Sequence, residues 1–147
     1  MARNQQGRVL AVDFGRVRVG LALCDELRVV ARPFKILDGT DKLRVSLEIA
    51  KICKDEEVSH VIVGLPLHMS GEMSASARKA TELAKRIADA SGLEVELVDE
   101  RLTSVEAERI RQEVSGGRAK KPGPKGKPAP IDDLAAAVLL QAWLDGH

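Results

Sequence analysis

The order of its apolar runs constrains this chain more than any other feature. Three β-type runs come first, at 8–14, 17–24 and 29–37, separated by short polar turns. Only Gly15-Arg16 stands between the first two, which is hairpin spacing. Pro33 inside the third run predicts an edge or a bulge, because proline cannot donate to a ladder. Helical and strand patterns then alternate. A helix is expected over 41–54, with Leu43, Leu47, Ile49, Ala50 and Cys53 on its apolar side. The β-branched run 60–66, "HVIVGLP", predicts a strand, and 73–91 predicts a helix burying Ala77, Ala80, Leu83, Ala84, Ile87 and Ala88. "LEVELV" at 93–98 is the fifth strand. Thr103 and Glu106 fit a capping box for a third helix running to 114. The last helix covers 131–144, with Ile131, Leu134, Ala135, Val138, Leu139 and Ala142 as its stripe and Trp143 beside it. The order βββαβαβαα implies a mixed sheet with helices on its faces.

The length fits one domain over 1–147, with a flexible basic loop at 115–130. No apolar run approaches the roughly 20 residues that span a bilayer, and the opening "MARNQQGRVL" lacks the apolar region of a secretory signal. Cys24 and Cys53 lie inside apolar stretches without metal-ligand spacing, so buried thiols in a reducing cytoplasm are expected. The net charge is +1, so only local clusters can say anything about partners. Phe14, Phe34 and Trp143 are the only large aromatic residues. That argues against a single-strand binder that works by stacking bases.

The first strand poses a chemical question. "VLAVDFG" is apolar until Asp13, and a charge at the rim of a core needs compensation. In open α/β sheets, sites form outside the carboxyl ends of strands. Asp13 follows one strand, Asp99-Glu100 follow the fifth, and Asp132-Asp133 open the last helix. If these ends converge, the carboxylates repel one another, and hard divalent cations remove that repulsion. Each acid also has an ordinary reading. Asp99 or Glu100 could pair with Arg101, and acids in a first helical turn are favourable without any function.

Basic residues form the second signal. Arg118, Lys120, Lys121, Lys125 and Lys127 precede Asp132, with no acid between Gly116 and Pro130. Such a run is either a solvated linker or a contact for a phosphate backbone. Arg16, Arg18 and Arg101 lie near the acids in sequence and could neutralise substrate charge. His68 could approach a phosphate from its loop, while His60 and His147 have no metal partner in sequence. There is no P-loop, GxGxxG or nucleophile elbow.

"VLAVDFGRVRVGLALCD", "VIVGLP", "LVDERLTSVEA" and "IDDLAAAVLLQAWL" together resemble the YqgF/RuvX family of Holliday-junction resolvase-like proteins, which are assigned to pre-16S rRNA processing. The likeness runs through the whole chain in order. It implies a ribonuclease H-like fold, an α/β five-stranded sheet of antiparallel meander plus parallel strands. It also implies a nuclease site made of Asp13, Glu100 and Asp132, which hold Mg²⁺ or Mn²⁺, two ions in all. On that reading one ion activates water and the other stabilises the leaving 3′ oxygen, leaving 5′-phosphate ends. Arg16, Arg18, Arg101 and the basic loop would hold the nucleic acid. Two features depart from the family pattern. Val17 stands where a lysine is frequent, and the loop from His68 to Glu72 differs from the usual one.

Precursor rRNA is the expected substrate, with branched DNA as the alternative. A resolvase would need two sites in a homodimer, whereas trimming rRNA needs only a monomer. A non-catalytic ribosome-assembly factor is a second class. A third is a relative of actin-like ATPases, whose phosphate hairpin "DFG" resembles, although those folds need two lobes to enclose ATP.

Overall fold

The computed structural model describes residues 7–15, 17–65, 75–100 and 131–147, with the backbone alone at 131–133. Its strands are β1 (Arg8–Phe14), β2 (Arg18–Cys24), β3 (Ala31–Asp38), β4 (Val58–Leu65) and β5 (Glu94–Asp99). Its helices are α1 (Lys42–Asp55), α2 (Ala75–Ser91) and α3 (Ile131–Asp145). They form one five-stranded sheet in the order β3-β2-β1-β4-β5. The first three strands are an antiparallel meander, while β4 lies parallel to both β1 and β5. The expected third helix at 103–114 lies outside the described residues.

Side-chain parity explains the continuous apolar runs. Leu10, Val12 and Phe14 join the core beneath α1 and α2, whereas Val9 and Ala11 join the core beneath α3. Both faces of β1 are covered, so it shows no polar alternation. The same split puts Val61 and Val63 toward α1 and α2, and Ile62 toward α3. Small residues, Ala11, Ala22, Ala136 and Ala137, let α3 pack close to the sheet. Gln141 then ties α3 to the meander. Its Nε2 donates to the Val29 carbonyl at 3.0 Å, and its Oε1 accepts from the Ala31 amide at 3.0 Å.

Pro33 sits on the edge strand beside a register shift, where Leu21 pairs with Lys35 and Ala22 with Pro33. Both expectations for it hold. Asp41 caps α1, its carboxylate accepting from the Arg44 amide at 3.2 Å. α2 ends at Gly92, whose φ of +75° is the left-handed value that glycine adopts without strain.

Two helical faces differ from the sequence reading. On α1 the buried residues are Val45, Ser46, Ile49, Ile52 and Cys53, while Leu43 and Leu47 are exposed. Val45, Ile49 and Ile52 repeat at i, i+4, i+7. Leu43 and Leu47 form a competing i, i+4 pair on the far side, and the sheet selects one phase. In α3 every residue from Ala136 to Leu140 is buried, a broader band than one stripe. In α2, Ala77, Ala80, Leu83, Ala84 and Ile87 are buried as expected.

Both cysteines are buried. The Val9 amide donates to Cys24 Sγ at 3.1 Å. Burial pushes the Cys53 thiol up to about 11, so it is chemically quiet. Among the described residues no helix is long and apolar enough to cross a membrane.

Candidate nuclease site

Topology places three carboxyl ends at one edge of the sheet. β1, β4 and β5 are parallel neighbours, so Asp13, Leu65 and Asp99 emerge together. Asp13 has the parity of Val9 and Ala11, so it faces the α3 side. Gly64 shares that face with Ile62, and Glu100 shares it with Val98, which packs against the α3 cluster. Parity therefore selects Glu100 over Asp99.

Gly64 makes the arrangement possible. A Cβ added there would collide with Glu100 Oε2 and would lie 3.1 Å from both Glu100 Cδ and Leu139 Cδ2. The Glu100 carboxyl thus occupies the space a side chain on β4 would fill. It is hydrogen-bonded to Asp13. Two carboxyl groups can share a hydrogen bond only if one holds a proton. Burial pushes Glu100 up to about 8, helped by the Asp13 charge, the hydrogen bond to Asp13 and the Asp99 charge. All four of these influences act in the same direction.

The direction of α3 completes the edge. Trp143 stacks on His60 near the start of β4, while Leu139 sits beside Gly64 near its end. α3 therefore runs antiparallel to β4, and its backbone delivers residue 132 toward the carboxyl edge. The Asp132 side chain lies outside the description. Among the described residues no group of three or more His, Cys, Asp or Glu is arranged to hold a metal ion.

The paired acids nevertheless fit a divalent cation. Their donors are hard oxygens, half-buried, with a proton held where a cation would relieve the same repulsion. Arg18 opens β2 as an exposed residue, and its carbonyl accepts from the Gly15 amide at 2.7 Å to close the hairpin. Val17 is exposed in the same turn. Arg16, Arg101, Arg118, Lys120, Lys121, Lys125, Lys127 and the loop from His68 to Glu72 lie outside the described residues.

Sequence reasoning missed one constellation at the opposite edge. The His60 ring lies 5.2 Å from the Trp143 ring, and the His147 ring also stacks on Trp143, at 4.0 Å. His60 Nε2 also bonds Glu96 Oε1 at 2.9 Å. The register of β4 and β5 sets up that bond, since His60 pairs with Glu94 and Ile62 with Glu96. Cross-strand proximity was the available signal, but it needs the topology first.

Comparison with known proteins agrees with this fold. The model of the RuvX family, described as Holliday junction resolvase, matches residues 7–146. A relative from Anaeromyxobacter sp. (strain Fw109-5), named "Putative pre-16S rRNA nuclease", is 42% identical over 141 residues, covering 95% of this chain and 98% of the relative. Two solved structures share the fold. T. thermophilus RuvC in complex with Holliday junction substrate matches with a TM-score of 0.59 and 17% identity, over 95% of this chain and 96% of that one. Fowlpox virus resolvase with substrate Holliday junction DNA matches at 0.57 and 16%, over 95% and 97%. The expected ribonuclease H-like architecture is the one observed.

Proposed function

The chain belongs to the RuvX family, and from that premise we propose that it is a nuclease hydrolysing phosphodiester bonds of structured nucleic acid, acting on the 5′ end of pre-16S rRNA in ribosome biogenesis. The observation that carries the reading is the Asp13–Glu100 pair at the carboxyl edge, over Gly64. Asp13, Glu100 and Asp132 are the proposed catalytic residues and would hold Mg²⁺ or Mn²⁺. Such ions supply a Lewis acid for the phosphate and a more acidic water.

The chain's own residues set the conditions. The half-buried setting of Glu100 removes part of its hydration, which strengthens charge interactions there. Glu100 holds a proton near neutral pH, which a bound cation would displace, and Asp13 orients it through their hydrogen bond. Arg16, Arg18, Arg101 and the basic run from Arg118 to Lys127 are the proposed contacts for the phosphate backbone.

The test is cleavage of precursor rRNA, a DNA four-way junction and single strands, with Mg²⁺ or Mn²⁺. Wild type should cut the rRNA precursor. Asp13→Asn, Glu100→Gln and Asp132→Asn should each lose about 10²–10³-fold in rate while still binding. Preferential cutting of the junction would move the reading to branched DNA. Binding without cleavage by wild type and variants alike would make the chain an assembly factor.

A further inference from the structure

The outward face of α2 is charged in a way that folding does not require. Arg78, Lys79, Lys85 and Arg86 are exposed there, against the acids Glu82 and Asp89. Lys42 already engages Glu82, at 3.5 Å. Among the described residues no ion pair reaches Arg78, Lys79 or Lys85, although Glu82 and Asp89 stand at i+4 from Arg78 and Lys85. On α1 the comparable spacing is used, and Lys51 pairs with Asp55 at 3.0 Å. The first turn of α2 contains no acid and carries Arg78 close behind it, against the helix dipole. Local stability would favour the opposite sign. A shallow depression of about 300 Å³ lies on this face, lined by Arg78, Lys79, Thr81, Glu82 and Lys85.

The position of the face gives its purpose. α2 connects β4 to β5, parallel neighbours, so it runs back across the sheet and begins at the carboxyl edge. Arg78 and Lys79 therefore stand at the edge that holds Asp13 and Glu100. They lie on the other face of the sheet, with α1 and α2, whereas the acids face α3. No single phosphate can meet both groups. We infer that Arg78, Lys79 and Lys85 hold a phosphodiester backbone on the strand opposite the scissile one, so that the chain selects duplex over single-stranded nucleic acid.

This rests on the nuclease reading for the identity of the ligand, and its test is separate from cleavage. The metal-free full-length chain, in EDTA, is titrated into a labelled RNA hairpin, a DNA four-way junction and a short single strand, with anisotropy as the readout. Lys79→Glu/Lys85→Glu should lose about tenfold in affinity for a duplex probe at ~0.1 M salt, with the salt slope reduced by about 2. Single-strand affinity should stay unchanged, and so should every affinity of Lys54→Glu, an exposed lysine in the last turn of α1. The probe that loses affinity, RNA or DNA, identifies the backbone. Lys79→Gln/Lys85→Gln, with a melting curve for each variant, guards against misfolding. Unchanged duplex affinity and slope would overturn the inference, as would equal losses on the single strand or in Lys54→Glu. Should wild type cut none of the probes while Lys79→Glu/Lys85→Glu still loses duplex affinity, the nuclease reading fails and the duplex contact stands.

Discussion

Glu100 is hydrogen-bonded to Asp13 across a position on β4 where only glycine leaves room for its carboxyl group. The bond joins the ends of two strands that are not neighbours, since β4 lies between β1 and β5. A half-buried rim, a second carboxylate and a missing side chain act together there.

A pH dependence of stability follows. A carboxyl group whose folded-state value lies above its unfolded value binds more protons when folded, so stability falls as pH rises between the two. For Glu100 that window runs from 4.5 to about 8. Metal-free protein should lose on the order of 2 kcal/mol between pH 5 and pH 8 in urea unfolding. Glu100→Gln, which cannot ionise, should flatten that slope, and Mg²⁺ should restore stability at pH 8. A slope unchanged by Glu100→Gln would mean that other groups set it.

Gly64→Ala places a Cβ against Glu100. The carboxyl group must move, because β4 backbone in the middle of the sheet cannot. Cleavage should fall at least about tenfold, and stability should fall by about 1–3 kcal/mol. Nucleic-acid affinity measured without metal should hardly change. Wild-type cleavage by Gly64→Ala would show that Glu100 does not need this seat.

Trp143 separates packing from polarity. Its indole nitrogen is buried without a hydrogen-bond partner among the described residues, while its ring stacks with both His60 and His147. Trp143→Phe keeps a ring there and removes the unpaired N–H, so it should cost less than about 1.5 kcal/mol. Trp143→Ala should cost about 3 kcal/mol. Both should cleave normally, because the stack lies at the far edge. Equal costs in thermal melts would contradict this division.

The α1 face can be checked the same way. Leu43→Lys and Leu47→Lys should each stay within about 0.5 kcal/mol of wild type, since both side chains are exposed. Ile49→Ala, at a fully buried position, should cost about 3 kcal/mol.

These residues also mark how far the sequence could be read. The succession of elements along the chain was legible because β1 and β4 are buried on both faces and stand out as unbroken apolar runs, but the place of β5 at the edge of the sheet was not. Asp13 was legible because it interrupts one of them. The choice of Glu100 over Asp99 was not visible in periodicity, since β5 pairs on one side only and its alternation is weak. It needed the faces of Val98 and Gly64, which only the register supplies. Leu43 and Leu47 misled for a similar reason. Two i, i+4 pairs competed on one helix, and the neighbouring sheet chose between them.

The central claim is that Asp13 and Glu100 hold a divalent cation in exchange for a proton. Calorimetric titration of Mn²⁺ at pH 7, in two buffers of different ionisation heat, reads that exchange directly. Binding should release about one proton, and Glu100→Gln should lose both the release and most of the affinity. Binding without proton release, or Glu100→Gln binding like wild type, would contradict the claim.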